Sequence, residues 1–126
     1  MAITSAASNM IQGGAVNRGI PWCYNATSAD ASGAETIIAA PGADTALYIT
    51  QLTVITDANI TVTLGAGEDS SAVETIVWGP IPFGSAGGVA HFDHRQNAIK
   101  LTDNKTLTVD ASGAGNTCVV VEGFTV

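Results

Sequence analysis

Hydrophobic and polar positions alternate along this chain at the period of a β-strand. Asn59-Ile-Thr-Val-Thr-Leu64 places Ile60, Val62 and Leu64 on one face and threonines on the other; Lys105-Thr-Leu-Thr-Val-Asp110 repeats the pattern with Leu107 and Val109. Both read as half-buried antiparallel strands. The same signal predicts strands at 20–27, 35–40, 46–56, 73–79, 88–94, 98–101 and 117–126. Gly, Asn, Asp, Ser or Pro separates these segments, so the chain offers about nine short strands, the arrangement of an all-β sandwich or barrel. No window pairs an amphipathic helical period with capping residues.

One strand changes phase. In Ala46-Leu-Tyr-Ile-Thr-Gln-Leu-Thr-Val-Ile-Thr56 the apolar positions are odd at Leu47 and Ile49 and even at Leu52 and Val54, with the slip at Thr50-Gln51. A β-bulge would return both halves to the core, and a strand buried on both faces would account for the pattern equally well. The closing segment is apolar on both faces, since Val119 and Val121 alternate with Cys118 and Val120. An open edge of that composition aggregates, so it must be covered inside a sheet or across a subunit interface. Short polar connections are expected at 57–58 and 102–104, and longer flexible loops at 65–71 and 110–116. Residues 1–19 have no sustained period and carry Gly13-Gly14; they are expected to be an irregular N-terminal arm, disordered alone or laid against a partner, with the folded domain at 20–126. The opening MAITSAASNMIQGG has no cationic start or continuous apolar stretch and is not expected to act as a signal peptide.

Composition narrows the function. At 126 residues the chain suits one domain, burying about two-thirds of the surface its unfolded form exposes. Only 12% of the residues are charged, against roughly 25% in an ordinary soluble domain. A surface of hydroxyls and small side chains is easily desolvated, and association with other subunits is the expectation. The net charge of −7 sets eleven carboxylates against Arg18, Arg95, Lys100 and Lys105, which form no cluster. Nucleic acid is therefore not an expected partner, because neutralising phosphates needs a basic stripe. The apolar runs are too short and too interrupted by threonine to cross a membrane as helices.

Candidate chemistry concentrates in Gly87-Gly-Val-Ala-His-Phe-Asp-His-Arg-Gln96, which holds both histidines. Read as a strand, this run places His91, Asp93 and Arg95 on one face and Ala90, Phe92 and His94 on the other. The two histidines then cannot chelate one ion, and His91 with Asp93 falls short of the three or four ligands a zinc site uses, so no metal is expected. No serine lies in a Gly-x-Ser-x-Gly elbow, GAGEDSS lacks the Gly-Lys-Ser/Thr of a phosphate loop, and neither catalysis nor a cofactor is expected. The plainer reading is a polar stripe in which Asp93 accepts hydrogen bonds from Arg95 or His91 while Phe92 enters the core. His91, Asp93 and Arg95 are then a candidate contact with another subunit or a larger partner, where histidine charging would make assembly pH-sensitive. Among the aromatics Trp22, Tyr24, Trp78 and Phe83, the Pro-bearing run Trp78-Gly-Pro-Ile-Pro-Phe83 offers Trp78 and Phe83 as a possible contact surface for sugar rings; core or interface packing is the favoured reading. Cys23 and Cys118 fit no zinc spacing. They would pair only if the first and last strands were neighbours, and two buried free thiols is the favoured reading.

From Gly33 onward the order of features resembles a known group. GAETIIAAPGADTALYITQLTV, then ITVTLG, then VWGPIPFGSAGGVAHFD, then AIKLTDNKTLTVDASGAGNTCVVVEGFTV is similar to the small jelly-roll capsid decoration (cement) proteins of tailed bacteriophages. The likeness covers about three-quarters of the chain and is one of pattern, with no catalytic signature; residues 1–32 take no part in it. It implies an antiparallel β-sandwich of jelly-roll type. It also implies a homotrimer that binds the major capsid protein on the outside of a virion assembled in the host cytoplasm. A carbohydrate- or receptor-binding tail or fibre module is the alternative.

Overall fold

The alternation becomes nine strands in the computed structural model, which describes residues 19–28, 33–68 and 72–126. They are β1 (Ile20–Ser28), β2 (Gly33–Ile38), β3 (Leu47–Thr56), β4 (Thr61–Gly67), β5 (Thr75–Pro82), β6 (Gly88–Asp93), β7 (Ile99–Lys100), β8 (Thr106–Ala111) and β9 (Thr117–Thr125). No helix occurs among the described residues. The expected arm, apart from Gly19, lies outside them.

Two antiparallel sheets form. The first runs β1-β9-β3-β6, with the two-residue β7 pairing β3 beyond the end of β6; the second runs β2-β8-β4-β5. With β7 counted as a continuation of the β6 edge, eight strands divide between two sheets so that the first lies beside the last and consecutive strands repeatedly cross from sheet to sheet. That order is a jelly roll. The apolar halves of the alternating strands meet between the sheets. Leu47, Ile49, Leu52, Val54, Val119 and Val121 of the first sheet face Val62, Leu64, Leu107 and Val109 of the second, all buried.

The phase slip in β3 is a bulge. Its register against β9 shifts between Ile49 and Gln51, leaving Thr50 as the extra residue, so that Leu47 and Ile49 on one side and Leu52 and Val54 on the other all reach the core. Thr50 stays tied in: its hydroxyl donates to the Glu122 carbonyl (3.1 Å) and its carbonyl accepts from the His94 N–H (2.7 Å). The bulge also marks where β3 changes neighbour, from β7 at Tyr48–Ile49 to β6 at Gln51–Thr56. The apolar closing strand β9 is covered within the sheet, between β1 and β3.

β2 lies two residues earlier than the sequence pattern places it, and two further boundaries, in β4 and β5, reach into segments that look like loop. β4 continues through Gly65-Ala66-Gly67, where a loop was expected. The reason is close approach: a side chain on Gly65 would overlap the Thr75 carbonyl oxygen, so glycine here marks strands pressed together and not a flexible turn. β5 runs on through Pro80 and Pro82, beyond the end of the strand expected at 73–79. Prolines are tolerated because β5 is the outer strand of its sheet and needs to donate to β4 alone. The ends of the sandwich are clipped by side chains. Asp57, in the β3–β4 turn, accepts from the Asn116 backbone N–H (3.0 Å) and side-chain amide (2.9 Å), and Asn104 Oδ1 accepts from the Gly42 N–H (3.0 Å).

Candidate functional site

The outer face of the first sheet carries the candidate stripe. Paired residues of neighbouring strands share a face, so the register writes this surface out in rows. Val89, Ile55, Cys118 and Thr27 form one row; His91, Thr53, Val120 and Asn25 the next; Asp93, Gln51, Glu122 and Cys23 a third; Lys100, Tyr48, Phe124 and Pro21 a fourth. The first row leaves Val89 65% and Ile55 40% exposed, and in the fourth the Tyr48 and Phe124 rings stack at 4.9 Å. Between these apolar rows lie a neutral polar row and a charged one.

His91 and Asp93 point outward from β6 as the alternation requires, and Arg95 follows in the turn. The carboxylate and guanidinium meet two-pronged: Arg95 Nε donates to Asp93 Oδ1 (3.0 Å) and Nη2 to Oδ2 (2.8 Å), while the Arg95 backbone N–H also donates to Oδ1 (3.0 Å). The side-chain hydrogen bond from Arg95, and then the backbone one, hold the Asp93 carboxyl at about 2, below its usual 3.8, and the same pair raises the Arg95 guanidinium. His91 takes a different partner: its Nδ1 lies 2.7 Å from the Thr53 hydroxyl on β3. Thr53 and His91 are spaced like a nucleophile and its base, but among the described residues no hydrogen bond joins the imidazole to a carboxylate, Asp93 being turned to Arg95. Among the described residues no three of His, Cys, Asp and Glu gather as metal ligands.

His94 turns the other way. Its Nε2 accepts the indole N–H of Trp78 at 3.1 Å, and its ring lies parallel to Phe92 at 6.5 Å. Trp78 belongs to β5 and His94 follows β6, so this bond joins the outer strands of the two sheets across one open side of the sandwich. Local pattern gives no sign of it, because the two residues meet only through the pairing of whole strands. A shallow depression of about 620 Å³ opens beside it, lined by Asp93, His94, Arg95, Gln96, Asn97 and Ile99.

Trp78 and Phe83 are 4% and 8% exposed and belong to the core, the favoured of the two readings; neither offers a face for stacking on a sugar. The cysteines correct an expectation. Both are free thiols, yet Cys23 is exposed and Cys118 only partly buried, because both fall on the outward phase of β1 and β9. Their strands are neighbours, but Cys23 pairs with Glu122 and Cys118 with Thr27, four residues away along the ladder, too far for a disulfide.

No protein-family model matches this chain, and no curated protein matches it. Among solved structures, a chain of the acidic stable capsid of Helicobacter pylori bacteriophage KHP30 is similar over 87% of this chain and 95% of that one, with a TM-score of 0.53 and 8% identity. A chain of the cyanophage Pam1 capsid asymmetric unit aligns over 98% of both chains, with a TM-score of 0.44 and 14% identity. At 8% identity the KHP30 likeness is one of fold: this chain is an all-β jelly-roll sandwich of a kind also found in a phage capsid structure.

Proposed function

We propose that this chain is a structural, non-enzymatic component of a bacteriophage virion, a trimeric decoration (cement) protein that binds the major capsid protein on the capsid exterior and stabilises the shell. The observation that carries the reading is a jelly-roll sandwich shared in fold, over nearly its whole length, with a chain of a phage capsid structure. The surface supports it. Cementing neighbouring capsomers needs contact area and preformed geometry, not turnover. The outer face of the first sheet offers apolar rows flanking a polar stripe, with the Asp93–Arg95 pair fixed in place before any partner arrives. His91, Asp93 and Arg95 are the proposed capsid contact, and residues 1–19 the proposed arm that widens the footprint. The carbohydrate-binding alternative loses Trp78 and Phe83 as its contact surface, since both are buried.

The test is to mix the protein with undecorated capsids and count copies per particle. Saturable occupancy at three-fold positions, with a rise in the capsid's disruption temperature, is the expected result. Arg95→Glu should weaken binding at least tenfold, well beyond the small change in the free protein's melting temperature that loss of its exposed pair with Asp93 brings. Absence of saturable binding, with retention on a glycan panel, would reject the reading.

A further inference from the structure

We propose that the side of the sandwich between β1 and β2 is a binding site for a primary ammonium group on a short apolar stem. β1 and β2 are the outer strands of their sheets on this side, opposite the Trp78–His94 bond. Between them lies a cavity of about 200 Å³ walled by Ala26, Ile37, Val109 and Val119, with Glu35 and Thr117 as its inward polar groups and the exposed Thr27 and Thr36 at its edge. Register explains why Glu35 faces it: Glu35 pairs with Val109, a core residue, so its side chain is directed between the sheets.

Thr117 supplies the independent sign of a ligand. It is 4% exposed, and its Oγ1 is, among the described residues, the buried side-chain polar atom without a hydrogen-bond partner. A buried hydroxyl in that state costs roughly 1–3 kcal/mol, and such groups in native proteins call for a missing partner. The chemistry of the walls selects which one. The Glu35 carboxylate repels anions, and one carboxylate with three threonine hydroxyls falls short of the roughly six to eight oxygens, rich in carboxylates, that a calcium ion takes. A purely apolar guest would leave Thr117 unpaired. An alkylammonium satisfies all of these: its stem lies against Ala26, Ile37, Val109 and Val119, while its N–H groups donate to Thr117 Oγ1 and the Glu35 carboxylate. Glu35 already makes an interaction within the chain, and a carboxylate has lone pairs for further donors. At about 30 Å³ per water the cavity has room for roughly six waters or one chain of lysine length. The site stands on this chain alone; assigning the guest as a lysine side chain of a shell protein rests on the function proposed above.

Methyl and amide NMR on the whole chain tests it, with n-butylammonium, n-butanol and butyrate as probes. Saturable shifts at Ala26, Val109 and Val119 are expected with butylammonium, weakened at least fivefold in Glu35→Gln or when butanol is the probe, and absent with butyrate. Thr117→Val, close to isosteric, should also weaken butylammonium binding at least threefold. No saturable shift at those residues, the behaviour of a cavity that holds only water, overturns the site, as does butyrate binding as well as butylammonium. Capsid binding separates the two claims. Wild-type protein that fails to bind capsids rejects the function; wild type that binds, with a Glu35→Gln variant that has lost butylammonium yet binds capsids equally, rejects the lysine assignment.

Discussion

Asp93 keeps its charge deeper into acid than an ordinary aspartate, because Arg95 donates to it from its side chain and then from its backbone. The carboxyl is depressed in the folded protein, so its contribution to stability is complete above the unfolded value near 3.8 and is lost as pH falls through about 2. Melting temperatures of wild type and Asp93→Asn should therefore differ by a constant amount above pH 5 and converge between about pH 4 and pH 2; a gap that stayed constant to pH 2 would contradict the pairing. The two histidines have different partners. The Thr53 hydroxyl can accept as well as donate, so the His91–Thr53 bond survives protonation of the ring. The Trp78 indole only donates, so a charged His94 would leave it without its acceptor. The two imidazoles thus differ in kind: His91 faces a hydroxyl on the outward stripe, His94 an indole on the side of the sandwich where β5 meets β6.

Strand β9 shows how one position can fix an element. Gly123 lies opposite the β3 bulge and pairs with both Ile49 and Trp22. A Cβ there would overlap the Tyr48 carbonyl oxygen and come within 2.8 Å of Trp22 Cη2. Both obstacles are rigid, one backbone and the other a ring whose Nε1 is tied to the Thr125 hydroxyl at 2.8 Å. Gly123→Ala should cost about 1–3 kcal/mol in urea unfolding, whereas Gly84→Ala, with open space around its Cβ, should be near neutral. Equal effects would mean that β9 and β3 do not pack this closely. Much at this scale was legible in the sequence, because strand period is local: each of the nine strands overlaps a segment that the pattern predicts, and the slip at Thr50-Gln51 is a bulge. The errors share one cause. Gly65-Ala66-Gly67 and Pro80–Pro82 look like loop material, and only the neighbouring strand, invisible to local pattern, makes the first a close contact and the second a tolerated edge. The inter-sheet cavity was hidden for the same reason: Glu35 and Thr117 meet through the pairing of β2 with β8 and the packing of one sheet on the other.

Across the whole molecule, apolar and charged surfaces make opposite demands on salt. The described ion pairs, Asp93–Arg95, Lys100–Asp103 and Glu68–Lys105, are all solvent-accessible, so they contribute little to folding, and the sequence sets eleven carboxylates against four lysines and arginines. A trimer carries three such excesses of −7 and is opposed by self-repulsion, while the exposed Ile20, Ile55, Ile76 and Val89 side chains favour burial that salt does not weaken. Binding to a basic shell surface would have the reverse dependence, because its long-range attraction is screened within about 10 Å at 0.1 M salt. Raising sodium chloride from 0.05 to 0.5 M should therefore shift sedimentation toward three times the 12.7 kDa chain mass, while the association rate with capsids falls about tenfold. A trimer that dissociates as salt rises would place charge, not apolar area, at the subunit contact. An association rate indifferent to salt would remove the acidic excess from any part in finding the capsid.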